Sequence, residues 1–159
     1  MLYCPYCGEK LSHKKDGIDG LVPYCLSCER FIYPTFNVAI SAIVENQNGE
    51  ILLIKQYKKN DYILVAGYVS IRECAEEALF REIKEETGLI VLSYRFNKTA
   101  YYEKTNTLMI NFTAYVSNDS FVLSEEVDSA SWFKKEDAIK NIKDNSLAKE
   151  FLKYYLEKK

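Results

Sequence analysis

Apolar residues recur along this chain with two different periods, and the change of period separates predicted strands from predicted helices. Short runs rich in Val, Ile, Leu and Ala are typical of strands that are buried on both faces of a sheet. The tripeptide Gln47-Asn48-Gly49 after the first run is a hairpin signal, so the first two strands are predicted to be neighbours. Together the runs predict strands over 36–45, 51–54, 62–65, 90–97, 108–116 and 130–133.

Three other segments show the three- and four-residue spacing of amphipathic helices. The first ends at Gly88, a residue type that tolerates the left-handed backbone of a helix C-terminus. Further helices are predicted over 135–142 and 146–157. This order of strands and helices suits an α+β fold with helices on both faces of the sheet, an α/β/α sandwich. The last helix carries an apolar stripe formed by Leu147, Phe151 and Tyr154 or Tyr155, and we interpret this stripe as packing against the core.

The polar face of the first predicted helix is acidic, with six glutamates between positions 73 and 86. Glu82, Glu85 and Glu86 have the spacing that brings side chains together over one helical turn. Like charges this close repel each other, and Mg²⁺ or Mn²⁺ bound by the carboxylate oxygens would relieve the repulsion. Arg81 is expected to pair with Glu77 or Glu85, four residues away on either side. A solvated acidic face without a ligand is the alternative.

Composition and charge narrow the functional classes. Hydrophobic residues make up 48% of the chain and charged residues 28%, as in globular proteins. Lys and Arg number 21 against 23 Asp and Glu, so no basic excess favours nucleic-acid binding over the whole surface. The sequence has no apolar run long enough for a membrane span, and its first residues lack the apolar core of a signal peptide. We therefore expect a cytoplasmic protein.

Four of the five cysteines form two Cys-x₂-Cys pairs separated by 17 residues: Cys4, Cys7, Cys25 and Cys28. This spacing is typical of a zinc site, and four thiolates close its tetrahedral shell, so the metal is expected to be structural. Two disulfide bonds are the alternative, which a cytosolic setting disfavours. Pro34 marks the expected boundary between a zinc ribbon over 1–33 and a larger domain over 34–159. The fifth cysteine, Cys74, is expected to be a small buried residue.

The acidic helix and the residues before it resemble the Nudix box. That pattern is Gly, five residues, Glu, seven residues, and then Arg-Glu-aliphatic-any-Glu-Glu-any-Gly-aliphatic. Every defining position is present here: Gly67, Glu73, Arg81, Glu82, Ile83, Glu85, Glu86, Gly88 and Leu89. The chain is therefore identified as a member of the Nudix hydrolase family over residues 35 to about 145. The resemblance implies an α/β/α sandwich with a mixed sheet and metal-dependent hydrolysis of a P–O–P bridge.

For the helix, the resemblance implies a role for each polar residue. Glu82, Glu85 and Glu86 would hold the catalytic Mg²⁺ or Mn²⁺. Glu86 is assigned as the general base, although another acid of the cluster or a nearby loop could take this role. Arg81 would orient the cluster, and Glu73 would fix the start of the helix or contact the metal from outside.

Outside the helix, the resemblance points to two further positions. A metal ligand is expected six residues before the Trp-Phe pair, at Glu126, with Glu125 as the substitute. A solvated loop is the alternative for both acids. Tyr68 stands where some relatives have an aromatic residue that stacks on a base of the substrate. A role in the core or at the rim is the alternative for this tyrosine.

A four-cysteine ribbon directly before a Nudix domain is similar to the NADH pyrophosphatase branch of the family. Enzymes of that branch carry a further domain before the ribbon, which this chain is expected to lack. Their recognition motif, Ser-Gln-Pro-Trp-Pro-Phe-Pro-Gln, aligns with residues 99–106, where every proline is missing. The resemblance therefore supports the chemistry and not a preference for NADH. It also implies a homodimer. The dimer would bury an apolar flank of the ribbon formed by Tyr24, Phe31, Ile32 and Tyr33. Packing of this flank inside one chain is the alternative.

We therefore expect a Mg²⁺-dependent hydrolase that cleaves the pyrophosphate bond of a nucleoside diphosphate linked to another group. NADH, ADP-ribose and a capped RNA end are substrates of this class. Two alternatives use the same site, a nucleoside triphosphate pyrophosphohydrolase and a sensor that binds a nucleotide without cleaving it. A third alternative is a ribbon that binds nucleic acid through Lys10, Lys14, Lys15 and Arg30, although nearby acids offset these charges.

Overall fold

The computed structural model describes residues 2–117 and 120–158. The chain forms two compact units, Met1–Phe36 and Asn37–Lys159. Each unit has its own cluster of buried apolar residues. Among the described residues, no helix is both long and apolar enough to span a membrane.

The first unit is a small antiparallel sheet of three strands in the order β1-β2-β3. Its buried cluster contains Cys4, Cys25 and Ile32. So small a cluster removes little apolar surface from water, so the unit depends on a further source of stability such as a metal or a covalent link. The strands are β1 (Ser12–Lys15), β2 (Leu21–Cys25) and β3 (Arg30–Phe31).

The second unit combines a sheet with three helices in its described residues. The sheet has the strand order β7-β8-β4-β5-β9, and β6 pairs with the first half of β4. β4 and β8 run parallel and the other pairs run antiparallel, so the sheet is mixed, as expected. The elements are β4 (Asn37–Glu45), β5 (Ile51–Gln56), β6 (Val65–Tyr68), α1 (Ala75–Thr87), β7 (Val91–Tyr102), β8 (Thr107–Val116), β9 (Val127–Phe133), α2 (Lys135–Asn141) and α3 (Leu147–Glu157).

Strand β4 shows why the sheet is covered on both faces. Ile40, Ala42 and Val44 belong to the buried cluster of α1, whereas Ile43 belongs to the cluster of α2 and α3. Successive side chains of a strand point to opposite faces, so β4 buries residues on both sides. This is why the strand reads as a continuous apolar run. The predicted α/β/α sandwich is confirmed.

Strand β6 lies later in the chain than the sequence predicted. It covers Val65–Tyr68, and the predicted strand 62–65 overlaps it only at its first residue. Tyr62 and Ile63 form isolated bridges instead. The apolar residues of 62–65 signal burial, but the pairing with β4 falls on Ala66, Gly67 and Tyr68, which carry no such signal. The strand therefore runs into the glycine of the Nudix-like pattern.

Strand β7 is longer than predicted. It continues from Val91 to Tyr102, beyond the predicted end at 97, with a bulge between Phe96 and Lys98. β7 lies at the edge of the sheet, and most of its side chains are exposed or half-buried. Hydrogen bonds to β8 hold such a strand in place without burial of its side chains. The sequence of its polar end therefore shows no apolar pattern that would predict a strand.

Tyr155, and not Tyr154, completes the buried stripe of α3. Its hydroxyl donates to Glu45 at the end of β4, and Glu45 also accepts a hydrogen bond from Lys135 Nζ at 2.9 Å. Burial, together with the hydrogen bond to the Glu45 carboxylate, raises the pKa of Tyr155 to about 12. This polar contact links α2 and α3 to the central strand.

Both ends of α1 are capped. Cys74 is the N-cap residue, and Glu77 Oε2 accepts its backbone N–H at 2.8 Å. Cys74 is exposed, so the expectation of a buried residue is wrong, because the capping position lies outside the core. At the other end, Gly88 has φ of 73° and donates its N–H to Lys84 O at 2.9 Å. A Cβ at Gly88 would lie 2.8 Å from Cβ of Val122, so glycine is required for conformation and for space.

Replacing Gly88 with Ala is therefore expected to destabilise the protein. The left-handed conformation alone costs a residue with a Cβ about 1–2 kcal/mol, and the contact with Val122 adds to that cost. Urea unfolding of wild type and variant, followed by circular dichroism, measures the loss.

Gly49→Ala is the matched control, because Gly49 has φ of 76° but its added Cβ would meet no atom closer than 3.6 Å. The Gly49 variant is expected to show the conformational cost without the clash. Equal losses in the two variants would contradict a steric role for Val122.

Candidate active site

A cleft of about 580 Å³ opens beside α1, β4 and β6 in the second unit. Its lining combines charged side chains with aromatic and small polar ones. Its volume lies in the range of small-molecule sites, about 300–1,000 Å³. The residues that line it include Gln56, Tyr57, Gly67, Tyr68, Arg81, Glu82, Glu86, Tyr102, Thr105, Thr107 and Glu126.

Arg81 is the centre of a hydrogen-bonded acidic network. Its Nε and Nη2 atoms donate to the two oxygens of Glu73 at 2.7 and 2.9 Å. Its Nη1 atom donates to Glu82 at 2.7 Å and to Glu85 at 3.2 Å. The expected pair with Glu85 is present, whereas Glu77 caps the helix instead. The network therefore reaches back to an acid that precedes the helix.

Glu73 is held from two sides. Besides Arg81, the backbone N–H of Ser70 donates to Glu73 Oε2 at 2.8 Å. The hydrogen bond from Arg81, followed by that from Ser70, lowers the pKa of Glu73 to about 2. The ionised form of this carboxylate is therefore favoured in the folded protein.

Gly67 allows Glu82 to approach the sheet. A Cβ at Gly67 would lie only 1.9 Å from the carboxylate of Glu82, which is closer than two non-bonded atoms can approach. The Glu82 side chain is 14% exposed and accepts from Arg81. The first glycine of the Nudix-like pattern thus provides the space that this carboxylate occupies.

Glu86 is the most deeply buried acid of the helix, with 6% of its surface exposed. Its Oε1 atom accepts from Nε2 of Gln56 at 2.6 Å, whereas Oε2 is buried without a hydrogen-bond partner among the described residues. The pKa of Glu86 is raised to about 7, chiefly by burial and also by the charges of nearby Glu82 and Glu126, although the bond from Gln56 opposes the rise. An unpartnered buried oxygen in an acidic group is suited to a cation.

The structure brings some of the predicted metal ligands together and not others. Glu126 lines the same cleft as Glu82 and Glu86. Glu125 lies in a neighbouring cavity, and Glu85 has a side chain that is 60% exposed and does not line the cleft. Of the two loop acids, Glu126 is therefore the one at the cleft.

Residues on other strands complete the cleft, and the sequence analysis did not identify them. Gln56 ends a buried strand, and a polar residue there is the signal that could have pointed to it. Tyr57 follows directly and donates its hydroxyl to Glu126 Oε2 at 3.1 Å. Tyr102 and Thr105 lie where the recognition motif of the NADH branch was aligned, and Thr107 follows directly after it. Tyr68 lines the cleft with 55% of its surface exposed, so it lies at the rim and not in the core.

The four paired cysteines of the first unit form a separate cluster. Their sulfur atoms lie within 4.8 Å of one another, the tightest group of potential metal ligands in the described part of the chain. Sγ of Cys7 lies 3.5 Å from Sγ of Cys25, and Sγ of Cys4 lies 3.9 Å from Sγ of Cys28. Zinc–sulfur bonds of about 2.3 Å place tetrahedral ligands about 3.8 Å apart, whereas a disulfide needs about 2.05 Å. The cluster could therefore hold zinc, and it does not fit the disulfide alternative.

The family of the chain is established by comparison with known families. The family described as NUDIX domain matches residues 35–155. The chain therefore belongs to the NUDIX family, as the spacing of its acidic helix indicated.

Similarity to individual proteins is more distant. The chain is 29% identical over 138 residues to the NAD-capped RNA hydrolase NudC of Haemophilus influenzae (strain PittEE), covering 82% of this chain and 50% of that protein. It is 30% identical over 139 residues to NudC of Shigella flexneri, covering 85% of this chain and 52% of that protein. The chain thus spans about half the length of these curated relatives.

Solved structures show the same fold. A NUDIX hydrolase from Nitrosomonas europaea has a TM-score of 0.76 at 21% identity, with coverage of 100% of this chain and 92% of that chain. The NUDIX domain of Shewanella oneidensis NrtR, in a complex with ADP ribose, has a TM-score of 0.68 at 13% identity, with coverage of 85% and 93%. At these identities the likeness extends to the fold alone.

Purified, reduced protein is expected to contain about one zinc ion per chain, and Cys25→Ser is expected to remove it. Loss of the metal should unfold the first unit, because its own core is small, while most of the second unit stays folded. Metal analysis measures the zinc, and hydrogen exchange locates the lost protection.

Cys74→Ser is the control, since it makes the same chemical change outside the cluster. It should keep the zinc, and serine is a good N-cap residue. A wild-type protein without zinc, or a Cys25 variant that keeps it, would exclude the site.

Replacing Glu73 with Gln is expected to lower stability at pH 7. The low pKa of Glu73 means that its ionised form stabilises the folded state above the ordinary value of 4.5. That contribution is lost as the pH falls from 4.5 towards 2, so the difference between variant and wild type should shrink over this range. Urea unfolding at several pH values measures it.

Glu150→Gln removes the same charge from an exposed position on α3 and is expected to show a small, nearly constant effect. A Glu73 variant that matched this control at every pH would show that the pair with Arg81 does not stabilise the fold.

Proposed function

We propose that this protein is a Mg²⁺- or Mn²⁺-dependent hydrolase that cleaves the pyrophosphate bond of a nucleoside diphosphate linked to another group. The observation that carries the proposal is the group of Glu82, Glu86 and Glu126 in one cleft, with an oxygen of Glu86 buried and unpartnered. Membership of the NUDIX family supports the same class of chemistry.

In this proposal Glu82, Glu86 and Glu126 hold the divalent cation. When bound, such an ion neutralises phosphate oxygens and lowers the pKa of a coordinated water. The three carboxylates offer hard oxygen ligands, as Mg²⁺ and Mn²⁺ prefer. Glu85, which the sequence also assigned to the metal, is exposed and paired with Arg81, so its contribution would be through the network.

The protein's own groups would orient the reaction. Arg81 fixes Glu82 through a 2.7 Å hydrogen bond and is itself fixed by Glu73. Gln56 fixes one oxygen of Glu86 and leaves the other available. We therefore keep Glu86 as the general base that accepts a proton from the attacking water.

The aromatic and small polar residues that line the cleft would receive the nucleotide. Tyr68 is half-exposed at the rim, where its ring can stack on a base. The curated relatives are named as hydrolases of NAD-capped RNA, and one structural neighbour holds ADP ribose. We infer a substrate of this kind, NAD-like, ADP-ribose-like or a capped RNA end, with a nucleoside triphosphate as the alternative.

The remaining expectations accompany this function. We propose that 1–33 form a zinc ribbon and that 34–159 form the catalytic domain. A homodimer and a cytoplasmic location remain predictions from the sequence. A sensor that binds a nucleotide without cleaving it would use the same cleft, but all acids of the Nudix box are in place here.

The first experiment is a substrate panel. NADH, NAD, ADP-ribose, a nucleotide sugar, a capped RNA and nucleoside triphosphates are incubated with Mg²⁺ or Mn²⁺, and the products are identified by mass. Two monophosphate products support the linked-diphosphate class. Pyrophosphate from a triphosphate supports the alternative. Binding without any product supports a sensor.

Glu86→Gln is then expected to lower turnover by about 10²–10⁴-fold, the range for loss of a group that transfers a proton. Without added divalent cation, its unfolding midpoint should hold or rise, because a buried charge is removed while the shape is kept. Activity against Mg²⁺ concentration and thermal unfolding with and without Mg²⁺ measure the two effects.

Glu150→Gln again serves as the control for loss of one negative charge. Zinc content should be unchanged in both variants. Wild-type turnover together with wild-type Mg²⁺ dependence in the Glu86 variant would exclude Glu86 from the catalytic site.

A further inference from the structure

The end of β5 departs from regular strand geometry. β5 pairs with β9 up to Lys55 opposite Ser129, and the next pair is Gln56 opposite Val127, so the register shifts by one residue. Directly after the shift, Tyr57 and Lys58 have φ of 55° and 56°. Each left-handed residue with a Cβ costs about 1–2 kcal/mol, so contacts nearby must offset the strain. We call residues 56–58 the β5 turn.

Each residue of the β5 turn donates a hydrogen bond to a different carboxylate. The Gln56 side chain reaches Glu86 at 2.6 Å, as described above. The Tyr57 hydroxyl reaches Glu126 at 3.1 Å. The backbone N–H of Lys58 reaches Oδ2 of Asp128 at 2.6 Å. The strained backbone therefore points three successive donors at three acids, two of which line the cleft.

The position of Tyr57 is not explained by burial. Its side chain is 63% exposed, so the core contributes little to holding it. It lines both the main cleft and the neighbouring cavity that contains Glu125, Glu126 and Asp128. The contact that remains to hold the tyrosine in this conformation is its hydrogen bond to Glu126.

Glu126 has few other constraints. It is exposed and lies in the turn just before β9 begins at Val127. In the described residues, Tyr57 is the one side chain with a hydrogen bond to its carboxylate. Without that bond, the Glu126 side chain would be free to rotate between several rotamers in solvent.

We propose that Tyr57 is a positioning residue that holds the Glu126 carboxylate in the cleft. Its hydroxyl engages Oε2 of Glu126 and leaves Oε1 available to a divalent cation. The inference rests on the proposed function, because it assigns Glu126 to the metal site. Tyr57 acts through Glu126 and does not itself bind the substrate in this proposal.

The test is Tyr57→Phe in the full chain, which keeps the ring and removes only the hydroxyl. Loss of a group that orients a metal ligand typically costs 10–100-fold in metal affinity or activity, and we expect the lower end, about 10-fold, at this exposed site. The Mg²⁺ concentration for half-maximal activity should rise by that factor. The Mn²⁺ affinity, measured from the signal of free Mn²⁺ by electron paramagnetic resonance, should fall in parallel. The thermal midpoint without divalent cation should fall by no more than a few degrees, because only one exposed hydrogen bond is lost.

Tyr101→Phe is the matched control, since Tyr101 is also exposed and donates its hydroxyl to a side chain, that of Asn106. Tyr101 does not line the cleft. This variant should keep the wild-type Mn²⁺ affinity and Mg²⁺ requirement.

The decisive test combines Tyr57→Phe with Glu126→Gln in one protein. If Tyr57 acts through Glu126, adding Tyr57→Phe to the Glu126 variant should produce no further loss of Mn²⁺ affinity. An equal loss in both backgrounds would overturn the proposal, as would a wild-type Mn²⁺ affinity in Tyr57→Phe itself. The Mn²⁺ readout does not need turnover. A wild-type protein that binds Mn²⁺ but cleaves no substrate would therefore refute the proposed function and leave the role of Tyr57 to be decided by the same titration.

Discussion

The guanidinium of Arg81 is the contact on which the site depends. Six glutamates within fourteen residues would repel each other, and the guanidinium of Arg81, which stays charged at any ordinary pH, forms hydrogen bonds with three of them. Arg81 engages both oxygens of Glu73, one oxygen each of Glu82 and Glu85, and the carbonyl of Tyr68 at 3.0 Å. It therefore ties the helix to the end of β6 and to the segment that precedes the helix. Glu82 and Glu86 can then face a common cleft although their charges oppose it.

The fold could be predicted where a strand is buried on both faces. β4 and β5 carry continuous apolar runs because α1 covers one side and α2 and α3 cover the other. β7 lies at the edge of the sheet, so its last residues up to Tyr102 form a strand by pairing with β8 and show no apolar period. The position of β6 likewise depends on its pairing with β4 through Gly67, a contact that local composition does not encode.

The site could be predicted only as far as its residues share one helix. Regular helical spacing relates Glu82 to Glu86 and Arg81 to Glu85, so the proximity within each pair follows from the sequence. Gln56 and Tyr57 reach the same cleft from a strand some thirty residues earlier, through the topology of the sheet and a shift of register in β5. Which of the two adjacent loop acids enters the cleft depends on the turn before β9, which no periodic pattern determines.

Glu86 shows how stability and the proposed chemistry oppose each other within this arrangement. A carboxylate that is 6% exposed, with one oxygen unpartnered, is costly to ionise in the free protein. The same low-dielectric surroundings strengthen the attraction between that oxygen and a cation. Gln56 limits the cost by donating to the other oxygen, and the apolar cluster around Ile83 keeps the helix in place. In the proposed function, a bound cation would offset the free energy that this acid costs the free protein, and occupancy of the cleft would then be coupled to the stability of α1.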